Sequence, residues 1–226
     1  MDHTSDFVEK AWAGYVEKLI KVSAKKDYAI TTKHQQIVDG ACKVFFQKGF
    51  HPASIKDIAK AAEMSTGQLY HYISSKDDVL FLIHKHMQTS WYQFIHSSNI
   101  DEIGDPIKYL EYAIKLTFEF FIENKKLIQF VYTESKYLSK EHLRVVLEMD
   151  NKCVVQFWEK AVKHALGEHA SDNYIKLTGN IAEYLLVFYP LRGWNLKDVS
   201  ADEVSRFLVK FILQGLNLVE SADVEQ

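Results

Sequence analysis

Proline and glycine are scarce in this sequence, 3 and 9 among 226 residues. So few breakers exclude a turn-dense all-β chain and leave helices joined by short connections as the expectation. Cysteine is nearly absent. Cys42 and Cys153 lie far apart, without CxxC or metal-ligand spacing, and read as small apolar residues in a reducing compartment. No uncharged apolar run approaches the ~20 residues that span a bilayer. The acidic Asp2, Asp6 and Glu9 near the start are wrong for a secretory signal, so the expected location is the cytoplasm. Also missing are a phosphate loop, an HExxH pair, a G-x-S-x-G elbow and a glycine-rich dinucleotide turn. The ten histidines are scattered: His84 and His86 are two apart, His164 and His169 five apart, and neither pair has the i, i+4 spacing of helical metal ligands. The expectation is a protein that is not an enzyme and carries no metal or cofactor.

What is present suits a soluble helical protein with a sizeable core: 47% hydrophobic and 25% charged residues. A net charge of −3 excludes a generally basic coat, so any contact with nucleic acid must be local. The charge is unevenly spread. Residues 1–77 hold 11 Lys against 9 acidic groups, +2, whereas 78–226 hold 16 basic against 21 acidic groups, −5.

Residues 5–24 place Val8, Ala11, Trp12, Tyr15, Leu19 and Val22 on one stripe, an amphipathic N-terminal helix. A second helix is expected from Thr31 or Thr32 to Lys48, stopped by Gly49. Ser54-Ile55-Lys56-Asp57 is a capping box opening a short helix. After a turn at Glu63-Met64, Ser65 caps a second short helix of barely two turns, Thr66–Tyr72, and Ser74 or Ser75 caps a long one from Lys76 to about Ser98. Two short helices with a tight turn, braced by longer ones, describe a helix-turn-helix. Longer amphipathic helices are expected near 106–123, 125–136, 140–167, 171–190 and 201–219, with breaks at Asn124, Ser139, Gly167 and Pro190.

A recognition helix of this size shows only three or four side chains to a major groove. Thr66 and Gln68 suit that task, Gln68 as a bidentate reader of adenine, and Gly67 lets the backbone approach. Ser65 and His71 flank this set and are counted with it.

The segment from Lys33 to Leu82 resembles the TetR family of transcriptional regulators. Ile37, Ala41, Phe45, Gly49-Phe50, Ser54-Ile55, Asp57-Ile58-Ala59, Gly67, Leu69-Tyr70, Tyr72, Ser75-Lys76-Asp77 and Leu80 all fall on the family's pattern. Two departures stand out. Glu63-Met64-Ser65 occupies a turn where the family usually has glycine, so a residue with a Cβ must adopt it. Ile73 replaces one of a common aromatic pair and is the expected core substitute.

The resemblance implies an all-α fold: a three-helix helix-turn-helix head, residues 29–77, joined to a larger helical ligand-binding and dimerisation domain, 78–226, with 1–28 as an extra N-terminal helix. It implies that Tyr70, Tyr72, Lys76 and Ser54 hold phosphates, and that helices near 171–190 and 201–219 form a homodimer on a pseudo-palindromic operator in double-stranded DNA. The apolar stripes offered are Ile175, Ile181, Leu185 and Phe188, then Val204, Leu208, Phe211, Ile212 and Leu216. An aromatic-rich body can line a pocket for a small hydrophobic effector. The candidates are Trp91, Phe94, Phe118, Phe121, Phe130, Tyr132, Trp158, Tyr184, Phe188 and Arg192. The stretches 188–196 and 133–139 resemble regulators linked to acyl-CoA metabolism, which suggests an acyl-CoA effector with Arg192 or a nearby lysine facing its charge. The function implied is a ligand-responsive, sequence-specific regulator, a repressor by the family's common habit. The alternative is a helical interaction protein that keeps the fold without binding DNA. For the N-terminal helix, packing through Trp12 is the preferred reading over a DNA-contacting arm of Lys18, Lys21, Lys25 and Lys26.

Overall fold

The computed structural model describes residues 3–20, 27–167 and 170–218. All regular structure among them is helical: α1 His3–Leu19, α2 Asp27–Lys48, α3 Ile55–Ala61, α4 Thr66–Leu69, α5 Lys76–Ser97, α6 Pro106–Glu123, α7 Lys125–Glu134, α8 Lys140–Asp150, α9 Gln156–Leu166, α10 Asp172–Arg192 and α11 Ala201–Gly215. The chain forms two compact units, Met1–Ser90 with Gln129–Asp150, and Trp91–Ile128 with Asn151–Gln226.

The first unit is built on the helix-turn-helix. Ser54 accepts from Asp57 N while the Asp57 carboxylate accepts from Ser54 N, so two orphan donors of α3 are satisfied reciprocally, as the box predicts. Gly49 ends α2 at φ +80. Where α2 crosses α3, a Cβ on Gly40 would lie 2.6 Å from Ala62 N, so glycine is what permits the approach. Ile37, Ala41 and Phe45 of α2, Ile58 and Ala59 of α3, Leu69 and Ile73 are all buried, the last as the expected substitute for an aromatic.

Helix α1 packs on this unit. Val8, Trp12, Val16 and Ile20 recur every four residues and are all buried; Trp12 sits edge-on to Phe81 of α5 at 5.4 Å, and Tyr15 donates to Glu148 of α8. Packing through Trp12 is therefore the observed arrangement. Of the residues read there, Val22, Lys21, Lys25 and Lys26 lie outside the described residues, as does His169.

In the second unit α6, α9 and α10 pack together and α11 lies on α6. Leu110, Ala113, Ile114, Trp158, Ala161, Val162 and Leu186 form its interior. A Cβ on Gly179 would meet Glu159 N at 3.2 Å, which measures how closely α10 approaches α9.

Three boundaries differ from expectation. Helix α2 starts at Asp27 rather than Thr31 or Thr32, because a threonine can continue a helix as well as cap one. Pro190 lies inside the last turn of α10, which continues to Arg192; one missing N–H near a helix end removes a single bond, and burial of the ring among its neighbours offsets it. The expected helix 140–167 is two helices separated by a π turn at Asn151–Val155, a feature to which hydrophobic periodicity is blind.

Candidate nucleic-acid interface and effector residues

Helix α4 is shorter than expected, four residues, but the chain continues to coil: Tyr70 N, His71 N, Tyr72 N and Ile73 N bond back to Thr66, Gln68, Leu69 and Leu69 carbonyls. This element is fixed to α2 by the buried His34, whose Nε2 lies 2.9 Å from the Tyr72 carbonyl oxygen; burial lowers the pKa of that imidazole. It leaves Ser65, Gly67, Gln68, Tyr70 and His71 exposed, with Thr66 and Tyr72 half-buried beside them. Seven of the nine predicted DNA contacts, Ser65 to Gln68 and Tyr70 to Tyr72, are thus brought to one short stretch of surface.

Three predicted side chains have other duties. Gln68 Oε1 accepts from Ser65 N at 2.9 Å while Ser65 Oγ accepts from Gln68 N at 3.1 Å, a second capping box. Bidentate reading of adenine needs that oxygen, so Gln68 must exchange its cap for the base. Ser54 Oγ donates to Asp57 Oδ2 at 2.8 Å, and Asp57, held ionised by Lys48 and Ser54, would stand against a phosphate.

Lys76 is engaged within the chain. Its Nζ donates to the carbonyls of Phe50 (2.8 Å), His51 (3.2 Å) and Ala53 (3.1 Å) and lies 4.5 Å from the Phe50 ring centroid. All three ammonium protons are spent on the loop between α2 and α3, and none remains for a phosphate. Burial lowers its pKa accordingly. Lys76 locks the head to the foot of α5. Lys76→Met should weaken DNA binding by about tenfold or more, through carbonyls left unpaired, without changing the slope of log affinity against log salt; a true phosphate contact would reduce that slope by ~0.9. Salt titrations of both proteins decide.

The turn between α3 and α4 confirms the cost of having no glycine there. Glu63 adopts φ +54, with Met64 N bonded to Ala59 O at 2.9 Å. A left-handed residue with a Cβ costs roughly 1 kcal/mol, so Glu63→Gly should raise the melting temperature by a few degrees.

The foot of α5 is tied to α8. Asp77 accepts from His142 Nδ1 at 2.6 Å and Ser139 N at 3.0 Å. Burial opposes its charge, but these bonds outweigh burial and hold the carboxyl below its usual range. The 133–139 stretch belongs to this head-binding surface: Tyr137 stacks on Phe50 at 5.5 Å and meets His51 edge-on at 4.1 Å.

The ten effector candidates are divided between the two units. Trp91, Phe118, Phe121 and Trp158 are buried in the second unit, where Phe94 packs on Phe120 at 5.6 Å. Phe130 is in the first unit, stacked on Phe45 of the head at 5.2 Å, and Tyr132 is exposed there. Tyr184, Phe188 and Arg192 project from the outer face of α10, so Arg192 does not face an interior ligand. Composition finds aromatics, but only packing says which face they occupy.

The expected dimer stripes also divide. Ile175, Val204, Leu208, Ile212 and Leu216 are buried within the chain. The exposed apolar face is Tyr174, Leu177, Ile181, Tyr184 and Phe188 on α10 with Phe207 and Phe211 on α11, flanking a groove of about 340 Å³.

Sequence reasoning missed polar residues inside the first unit, the buried Gln88 and Thr89 of α5, and with Gln88 the half-buried Asp150 of α8. Their signal was a glutamine and a threonine inside a run where apolar residues were due. Burial pushes the Asp150 carboxyl up to about 6, against a bond from Gln88 that lowers it. Because folding favours the protonated form, its contribution to stability is fully present below the unfolded value near 3.8 and is lost as pH rises through about 6. Asp150→Asn should therefore stabilise by up to about 3 kcal/mol at pH 8 and by nothing near pH 4, in paired thermal melts.

A profile described as bacterial regulatory proteins, tetR family, matches residues 37–83. The HTH-type transcriptional regulator HbdR of Aromatoleum sp. (strain CIB) is 25% identical over 194 residues, 84% of this chain and 80% of that protein. Two solved structures share the fold: AibR in complex with isovaleryl coenzyme A and operator DNA, TM-score 0.64 at 18% identity, covering 79% of this chain and 97% of that one, and FadR from Bacillus subtilis in complex with stearoyl-CoA, TM-score 0.65 at 18% identity, covering 82% and 99%. Among the described residues no helix is long and apolar enough to cross a membrane, and no three metal-ligating side chains cluster. The head matched by the profile is thus a DNA-binding domain of the tetR family's kind, set in a helical fold shared with those structures.

Proposed function

We propose that the chain acts as a cytoplasmic homodimer that represses transcription from a pseudo-palindromic operator and is released by an acyl-CoA. The head 29–77 reads DNA through Thr66, Gly67, Gln68, Tyr70 and His71; the remainder, 78–226, senses the effector and dimerises. The observation that carries the reading is the pairing of one exposed recognition surface with one uncovered apolar face. A single head covers half a site, and two must sit about 34 Å apart to reach successive major grooves. The face on α10 repeats at 174, 177, 181, 184 and 188, the alternating three- and four-residue spacing with which helices pair. A second copy presenting the same face would bury it by symmetry.

Support for the effector comes from the acyl-CoA ligands of AibR and FadR and from the aromatic interior of the second unit, which suits an acyl chain. Release follows if the acyl-CoA binds better to a dimer whose heads are wrongly spaced. Moving a population from mostly competent to mostly incompetent takes on the order of 5 kcal/mol of differential binding.

The test is fluorescence anisotropy of a labelled fragment from upstream of the protein's own gene against a scrambled one, near physiological salt, followed by titration with stearoyl-CoA. Selective nanomolar binding and its reversal are expected. Selective binding that no acyl-CoA reverses would discard the effector, and absence of selectivity, on this fragment and in a genomic selection, would discard the operator reading.

A further inference from the structure

Gln68 stands on the exposed recognition stretch, yet little of it is free to turn. Its backbone N–H donates to Ser65 Oγ at 3.1 Å, and its carbonyl accepts from His71 N, also at 3.1 Å. The side chain is held as well, because Oε1 accepts from Ser65 N at 2.9 Å. That bond decides which way the amide faces. A peptide N–H can be answered only by an acceptor, and the flipped amide would set two donors against each other. What remains is Nε2 with its two protons, which no partner among the described residues takes. The surface beside it is open: a Cβ on Gly67 would meet nothing nearer than Ser65 Oγ at 3.9 Å.

The bond to Ser65 limits what Gln68 can recognise. An adenine edge offers N7 as acceptor and N6 as donor, so a glutamine pairs with it by presenting a proton and an oxygen together. The oxygen is engaged by the cap. Taking adenine would strip Ser65 N of its partner just where DNA displaces the water that could replace it. A cytosine edge offers only the N4 donor and has no use for Nε2. Guanine, with acceptors at O6 and N7, and thymine, with O4, are the edges that a donor-only amide satisfies while the cap stays closed.

We propose that Gln68 keeps its cap when DNA is bound and reads a keto base, guanine before thymine, through Nε2 alone. Guanine ranks first because its two acceptors match the two protons of the amide nitrogen. The capping box thereby sets specificity as well as helix stability. It fixes the amide in one orientation before DNA arrives, so little rotamer freedom is lost on binding. The inference rests on the reading of this chain as an operator-binding regulator and names the class of base that one residue selects.

The experiment is selection of operators from a randomised DNA pool by the full chain, repeated with Gln68→Glu and Gln68→Ala. Glutamate keeps the box, which takes Glu or Gln at this position, and replaces the free donor by an acceptor. The position facing residue 68 is the one whose base preference differs among the three proteins. The unaltered chain should hold guanine or thymine there, by about tenfold over adenine in competition binding. Gln68→Glu should move the same position to a base with an exocyclic amine, cytosine before adenine, and Gln68→Ala should take all four bases about equally. The added negative charge weakens binding to every sequence alike, so the preference is read and not the affinity; thermal melts check that both variants fold. Adenine or cytosine at that position for the unaltered chain would overturn the inference, as would an operator in which no position responds to either variant. Should the unaltered chain select no sequence at all, the operator reading fails and this inference with it, whereas a selected operator with the wrong base at that position sinks the inference alone.

Discussion

Ile181→Glu combined with Phe211→Glu is expected to leave a folded monomer whose operator affinity is about 10²–10⁴-fold weaker. The magnitude is that of losing a second tethered binding event, since the proposed dimer would hold its second head at a high effective concentration over the second half-site. Both side chains are more than half exposed in the single chain, at 57% and 53%, so the substitutions remove nothing from the monomer core and the helical circular dichroism should be unchanged. Two glutamates from each copy would meet at a symmetric interface with no counter-charge, which adds repulsion to the lost apolar contact. Sedimentation equilibrium reads the association state and anisotropy the affinity. A double variant that still sediments as a dimer would move the interface away from α10 and α11.

Trp12→Ala should destabilise the protein by about 3–5 kcal/mol, the usual cost of emptying the site of a fully buried large aromatic. Trp12 is 0% exposed, and its indole nitrogen has no hydrogen-bond partner, so the loss is one of packing and not of a polar contact. For a chain of this length that corresponds to a fall of roughly 6–20 °C in melting temperature. The effect should also reach the head. Phe81, against which Trp12 packs, stacks on His142 at 4.5 Å, and His142 holds Asp77 at the foot of α5. A variant with unchanged melting and a weaker salt dependence of DNA binding would return α1 to the role of a basic arm.

These contacts string along one helix. From Lys76, which locks the head, through Asp77 and Phe81 to the buried Gln88, α5 runs 12 residues, roughly 18 Å at the helical rise.

Much of this was legible in the amino-acid order because it depends on neighbours in sequence. The capping box at Ser54, the cap at Ser65, the stop at Gly49 and the core stripe of Ile37, Ala41 and Phe45 are local matters of hydrogen bonding and periodicity, and they recovered the head almost residue by residue. So did the strain at Glu63, since a missing glycine in a tight turn announces itself. Tertiary structure decided the rest. Lys76 reads as a surface cation until the carbonyls of Phe50, His51 and Ala53, more than twenty residues away, converge on it. Phe130, Phe188 and Trp158 are alike as aromatics, yet one braces the head, one faces outward and one fills the core. Asp150 is an ordinary helical aspartate until the buried Gln88 is set opposite it. Composition and spacing determine which groups a helix carries, whereas the burial and pairing that set their energies arise only when distant helices are brought together.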